Sequence, residues 1–210
     1  TLRHAGWSAL EADLAAQHLV LADQSGHPSH GVGMLVRYIQ SIADGFLKPD
    51  NQPADILRSG SFLVVQGNTA LGQAAAYDVT QDAIGLARTH GMALANLINA
   101  HHIGRIGHYA EMVAAEGMIG LFWVNVSGSD PIVAPWGGTK ARYSTNPHAI
   151  AIPRAGGQPF LLDFATSRLA HGKTRVAHLA GQKVPFGAVL DPQGQPTDDP
   201  GVMWTEPLGA

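Results

Sequence analysis

Eleven histidines stand among 210 residues, and several of them are adjacent. Imidazole exchanges protons near neutral pH, so clustered histidines point to general acid–base chemistry or to metal ligation. Three segments gather groups of this kind. Ser29-His30-Gly31 puts a hydroxyl and an imidazole just ahead of a helical pattern, where free N–H groups and the positive dipole end suit a carboxylate or phosphate. Asn99 to His108, reading NAHHIGRIGH, lies between a strand pattern and a helix pattern, at the mouth where open α/β sheets place ligands. Thr145-Asn146-Pro147 pairs with Leu162 to Ser167, in which Asp163 ends a strand and is placed to orient an imidazole or accept a cofactor hydroxyl. Spacing alone leaves a plainer alternative open for each: Ser29 as a helix cap with His30 on the surface, hydrogen-bonded loop histidines, and Ser167 as the cap of the next helix.

Several chemistries drop out early. The chain has no cysteine, which removes disulfides, thiolate metal sites and thiol nucleophiles. His101, His102 and His108 could all ligate a metal, but they lack the i, i+4 helical spacing of HExxH and a suitably placed glutamate. Gly31-Val32-Gly33 begins a dinucleotide fingerprint, yet Val36 holds the third glycine's place and no strand precedes it. Gly172-Lys173-Thr174 matches only the end of a P-loop, with Ser167 where the first glycine belongs. No GxSxG elbow occurs. A formal net charge of −3 without a Lys/Arg cluster argues against nucleic acid or an anionic membrane as partner. The longest apolar stretch, Met118–Val124, is too short to cross a bilayer, and Glu11 and Asp13 interrupt the N-terminal region where a signal peptide needs apolar residues. A soluble, cytoplasmic protein is the expectation.

The elements that must position these groups follow from periodicity. Trp7, Leu10, Leu14 and Leu21 predict an amphipathic helix over about 6–23, and Met34, Leu35, Tyr38, Ile39 and Ile42 predict a second one stopped by Gly45. FLVVQ at 62–66 reads as a strand, 74–90 as a helix closed by Gly91, and Met92–Ile98 as a strand buried on both faces. A helix over 106–116, closed by Gly117, leads to a second buried strand at Met118–Val124. That strand–helix–strand order predicts an α/β fold, a layered mixed sheet with flanking helices. A loop of about twenty residues from Ser127 to Asn146 is long enough to be functional. Short strands at 148–153 and 159–163 and a helix over about 167–180 follow.

Taken in order, LADQSGHPSHGVGMLVRYI, NAHHIGRIGHYAEMVAAEGMIG, VAPWGG followed by STNP, LLDFATSRLAHGKTRVAHLAGQKVP and DPQGQPTDDP resemble the malate/L-lactate dehydrogenase family of non-Rossmann NAD(P)-dependent oxidoreductases. The wording of GHPSHGVGM and HHIGRIG is most similar to its hydroxycarboxylate dehydrogenase branch, which reduces 2-oxo acids. The resemblance implies a sulfolactate/malate dehydrogenase-like fold, with residues 1–60 a helical substrate-side and dimerisation segment and 61–210 an incomplete NAD(P)-binding α/β domain. It implies His102 as the acid/base, Ser29 and His30 as the substrate-side pair, and Asp163 as a proton-relay group. Ile103, Gly104, Arg105 and Ile106 match a cofactor-contacting stretch, and Asn146, Pro147, Thr166 and Ser167 match further nucleotide-side positions. The expected cofactor is NAD or NADP, and the expected partners are a small 2-oxo or 2-hydroxy acid and a second copy of the chain.

Two departures stand out. Many relatives carry an arginine four residues after the SHG histidine, suited to clamping a carboxylate; here that residue is Met34, and Arg37 and Arg105 are the candidate replacements. The family pattern also runs beyond Ala210, so the chain reads as most of a longer enzyme. A carboxylate beside His102 is expected to keep its imidazole charged. Within the family a cyclic imine 2-carboxylate reductase is the alternative; outside it, a histidine-metal hydrolase or a non-catalytic homologue.

Overall fold

The computed structural model describes residues 2–128 and 130–210. Two compact units emerge, one of residues 1–120 with 151–160, the other of 121–150 with 161–210. None of the three breaks, after residues 120, 150 and 160, falls at residue 60, where the sequence reading divides the chain by expected role.

In the first unit, helix α1 (Ala9–Gln24) begins at a capping box: the Ser8 hydroxyl accepts the Glu11 N–H at 3.2 Å while the Glu11 carboxylate accepts the Ser8 N–H. Such a box satisfies two helix-end donors at once. The buried stripe of α1 is Ala12, Ala15, His18, Leu19 and Ala22. Leu10, on the face expected to be buried, is instead 70 % exposed. Small side chains let α1 lie close against helix α3 (Gly72–His90), itself buried through Ala74, Ala75 and Ala76. The larger leucines would have held the two helices apart. Helix α2 (Leu35–Ala43) follows a one-turn 3-10 segment, Val32–Met34, and Gly45 turns the chain at φ +76°. Trp7, Leu19, Met34, Tyr38, Leu47 and Leu71 close the core among these helices.

Strands β1 (Ala54–Ser59), β2 (Phe62–Gln66) and β3 (Leu94–Ile98) form one sheet in that order, β1–β2 antiparallel and β2–β3 parallel. β1 had no expectation in the sequence; its polar, unalternating ADILRS is exposed throughout. α3 provides the crossover from β2 to β3, and Val79 and Leu86 meet Leu63, Val65, Ala95 and Leu97. The βαβ unit is thus β2–α3–β3. Helix α4 (Gly107–Ala115) leads to β4 (Gly120–Trp123), which belongs to a separate sheet ordered β4–β5–β6, with β5 His148–Ile152 and β6 Phe160–Phe164.

The two strands expected to be buried on both faces are not. Leu94, Leu121 and Trp123 are about half exposed or more, at 56 %, 50 % and 68 %. Double burial needs helices on both faces of a sheet, and each of these sheets has only three strands. The class remains mixed α/β, distributed over small sheets.

In the second unit, helix α5 (His171–Leu179) starts later than expected, with Ala170 at its N-cap. Ser167 donates its hydroxyl to the Leu169 carbonyl at 2.6 Å and so does not cap the helix. Two-residue strands β7 (Val189–Leu190) and β8 (Pro196–Thr197) pair across a turn whose Asp191 carboxylate accepts the N–H groups of Gln193 and Gln195. Val184, Val189 and Met203 form the core of this unit. Among the described residues no helix is long and apolar enough to cross a membrane.

Candidate active site

The loop between β3 and α4 carries His101 and His102, and close backbone packing places it. A Cβ on Gly72, at the start of α3, would stand 2.2 Å from the His101 carbonyl oxygen and 2.4 Å from that of His102. Only glycine lets the helix start so near the histidine backbone. Gly104, at φ +79°, lies against His18, whose Nε2 accepts the Arg105 N–H at 2.9 Å. That hydrogen bond fixes His18 as an acceptor at Nε2. It also joins the histidine loop to α1.

Around His102 the first unit gathers groups distant in sequence. The Tyr38 hydroxyl, on α2, lies 2.8 Å from His102 Nδ1. Gln73, on α3, donates from Nε2 to the same hydroxyl oxygen at 2.5 Å. His30 lies nearly parallel to His102, with ring centroids 5.4 Å apart, and its Nδ1 is 2.9 Å from the Ser29 hydroxyl. Ser29 is buried in a short 3-10 turn, Pro28–His30, so it caps no α-helix. His101 meets the edge of Tyr38 at 5.3 Å, and its Nδ1 is buried without a partner among the described residues. Ser29, His30 and His102 are therefore brought together, with Tyr38 and Gln73 added.

Electrostatics set the charge state of this cluster. Burial, then the neighbouring His30, His101, Arg37 and His18, push the His102 pKa well below the usual imidazole value. Burial and Arg37 take His101 down to about 4. Burial, His108, Arg105 and His30 take His18 down to about 3. Burial raises the Tyr38 phenol far above its ordinary value, so its proton stays on. No carboxylate is among the groups that shift the ring: desolvation comes first, then the neighbouring imidazoles and the Arg37 guanidinium. His102 is neutral in the free site.

The two arginine candidates differ. Arg105 is 6 % exposed and its guanidinium is paired with the Glu111 carboxylate. Arg37 is exposed, close enough to lower both His101 and His102, and has no hydrogen bond or ion pair among the described residues. Met34 is buried in the core of the helices.

The cofactor-contacting candidates divide between the units. Ile103 gives its carbonyl to the Tyr109 hydroxyl at 2.5 Å, the Arg105 N–H goes to His18, and Ile106 is buried ahead of α4. In the second unit the Asn146 side chain accepts the Val126 N–H at 3.0 Å, and the Pro147 carbonyl accepts the Val124 N–H. The Thr166 hydroxyl donates to the carbonyls of Thr145 and Asn146. Asn146, Pro147 and Thr166 are thus one hydrogen-bonded knot. Asp163 lies next to the end of β6.

Of the three histidines weighed as metal ligands, His108 stacks edgewise on His18, with centroids 4.8 Å apart. No group of three His, Asp or Glu side chains among the described residues is arranged to hold a metal ion.

Tyr38 and Gln73 escape a reading of the sequence because Tyr38 sits on the apolar stripe of α2, where it looks like core. A glutamine inside an alanine-rich helix start was the available signal. At 2 % exposure, Gln73 is a polar group kept for a reason.

A neutral imidazole held among helices beside a small mixed sheet gives this α/β scaffold a group of the kind that exchanges protons near neutral pH. The chain belongs to the malate/L-lactate dehydrogenase family, whose sequence pattern it matches over residues 1–210. It is similar to hydroxycarboxylate dehydrogenase B of Escherichia coli K12, 42 % identical over 208 residues, which are 99 % of this chain and 57 % of that protein. Among solved structures it is similar to a dehydrogenase from Sinorhizobium meliloti, with TM-score 0.87, 36 % identity and coverage of 95 % and 57 % of the two chains. It is also similar to delta1-piperideine-2-carboxylate reductase from Pseudomonas syringae, with TM-score 0.84, 32 % identity and coverage of 93 % and 58 %. The chain spans a little over half the length of these relatives.

Proposed function

We propose that this chain carries the proton-transfer and substrate-side portion of an NAD(P)-dependent oxidoreductase that interconverts a 2-oxo acid and its 2-hydroxy acid. The observation that carries this reading is the half-buried His102, neutral, tethered at Nδ1 and flanked by the Ser29–His30 pair. A nicotinamide cofactor, NAD or NADP, supplies or accepts the hydride when bound. The histidine cluster fits such a group, since His102 is only half buried and the buried ring nitrogen His101 Nδ1 has no hydrogen-bond partner among the described residues.

His102 takes the hydroxyl proton as the 2-hydroxy acid loses hydride, and returns it to the C2 oxygen in the opposite direction. A neutral imidazole is the form required for the first step. For the second it must be protonated, and the substrate itself favours that. A carboxylate arriving at Arg37 offsets one of the cations that depress His102 and adds a negative charge nearby. Arg37, not the Glu111-paired Arg105, is the carboxylate partner. Ser29 and His30 line the substrate side. By the family resemblance Asp163 is assigned to the proton relay, and residues 103–106 of the first unit and Asn146, Pro147, Thr166 and Ser167 of the second are each assigned nucleotide contacts. The protein acts as a homodimer in the cytoplasm.

A second reading, reduction of a cyclic imine 2-carboxylate, is favoured by the likeness to the piperideine carboxylate reductase; its substrate also pairs a carboxylate with a hydride-accepting carbon. A panel of 2-oxo acids and cyclic imines with NADH and NADPH separates the two. His102→Ala is expected to lower kcat by 100-fold or more, in the ~10²–10⁴ range of general acid–base catalysis. Unchanged turnover in that variant rejects the assignment.

A further inference from the structure

We infer that Tyr38, held by Gln73, is the positioning residue of the site: its hydroxyl engages His102 at Nδ1 and reserves Nε2 as the nitrogen that exchanges the substrate's proton. The inference rests on the assignment of His102 made above, and it concerns residues on two other helices.

The geometry has three parts. Tyr38 is fully buried, with its ring in the core among Leu19, Met34, Leu47 and Leu71, so its hydroxyl has little freedom. That hydroxyl lies 2.8 Å from Nδ1, and Gln73 Nε2 donates to its oxygen at 2.5 Å. Gln73 occupies one lone pair and leaves the oxygen one lone pair and one hydrogen to share with the ring. The contact therefore suits both charge states the reaction needs: Nδ1–H donates to the remaining lone pair of the hydroxyl oxygen, and Nε2 is bare in the neutral ring and protonated in the cation. A carboxylate in its place would only accept and would pin the charge on the ring. Nε2, by contrast, has no partner among the described residues, and His102 keeps part of its surface exposed. One nitrogen is structural and the other is open.

Ring orientation also matters because His30 stacks on His102 and His101 packs on Tyr38. A ring turned over about Cβ–Cγ would carry Nδ1 away from the hydroxyl, leaving the Tyr38 phenol held by Gln73 alone. A chain of buried groups that orders a reacting imidazole is the logic of an outer-shell partner.

The test uses Tyr38→Phe, which keeps the ring and removes one oxygen, and Gln73→Met, which keeps length and removes the amide. In nitrogen-15 spectra of the histidine-labelled protein, with the His102 signals assigned by their loss in His102→Gln, the unsubstituted protein is expected to show a single His102 tautomer. Tyr38→Phe is expected to show a mixture of both, with kcat reduced about tenfold or more and KM within about twofold. Gln73→Met is expected to fall between. A purely structural Tyr38 would lower the melting temperature and leave the tautomer and the kcat of folded protein unchanged; that result overturns the inference, as does a tautomer mixture in the unsubstituted protein. Full turnover in His102→Ala would instead reject the acid/base assignment, and the nitrogen spectra report on Tyr38 independently of it.

Discussion

At the scale of single residues, the charge state of His102 decides its chemistry. Burial first, then the surrounding imidazoles and one guanidinium, favour the neutral ring in the free site. That guanidinium is Arg37, and its removal has a definite sign. In Arg37→Gln the His102 pKa rises, so the acidic limb of the pH profile for 2-hydroxy acid oxidation is expected to move to higher pH. KM for the substrate is expected to rise about tenfold or more, because a charge-assisted contact to the carboxylate is lost. Steady-state kinetics across pH check both, and an unmoved limb with unchanged KM rejects Arg37 as the carboxylate partner. Arg105→Lys should disturb stability more than KM, since the Arg105 guanidinium is committed to Glu111.

At the scale of elements, the site depends on how closely α3 and the histidine loop approach. In Gly72→Ala the added Cβ would sit 2.2 Å from the His101 carbonyl oxygen, so loop or helix must move. Lower thermal stability together with reduced kcat is expected, measured by melting curves and turnover on the same preparation. Ser8→Ala makes the contrast. Loss of the capping box should cost about 1 kcal/mol of stability and leave kcat untouched, because Ser8 lies outside the histidine cluster. Equal kinetic damage in the two variants would show that α1 and the loop are coupled more tightly than these contacts imply. The elements also show why pattern reading succeeded unevenly. β2, α3 and α4 stand where their periodicity and terminal glycines put them. The buried face of α1 does not, since hydrophobic spacing shows that a stripe exists but not that an alanine stripe gives the closer packing.

For the molecule as a whole, the depressed histidines tie stability to pH. His18 titrates near 6.5 unfolded and at about 3 folded, so the unfolded chain binds more protons between those values. The stability it contributes is present above pH 6.5 and is lost as pH falls toward 3. Protonation of Nε2 would also set an N–H against the Arg105 N–H it now accepts. A melting temperature that falls steadily from pH 7 to pH 4, and falls less in His18→Gln, is the expected outcome of calorimetry. A flat profile would mean that His18 is not held neutral. His101, at about 4, adds to the same trend.

The sequence by itself determined the local grammar: where helices cap, where glycines turn the chain, and that Ser29, His30 and His102 border elements able to converge. Those are short-range properties, set by periodicity, backbone conformation and side-chain chemistry. Its ordered motifs also carried the family. Only the tertiary structure decided that β3 and β4 lie in different sheets, that Arg105 is spent on Glu111 while Arg37 is not, and that Tyr38 and Gln73 meet at His102. The neutral state of that histidine belongs with these. A pKa is fixed by the burial and charges around a group, and the groups around His102 come from positions 18, 30, 37, 38 and 73, which no spacing along the chain joins.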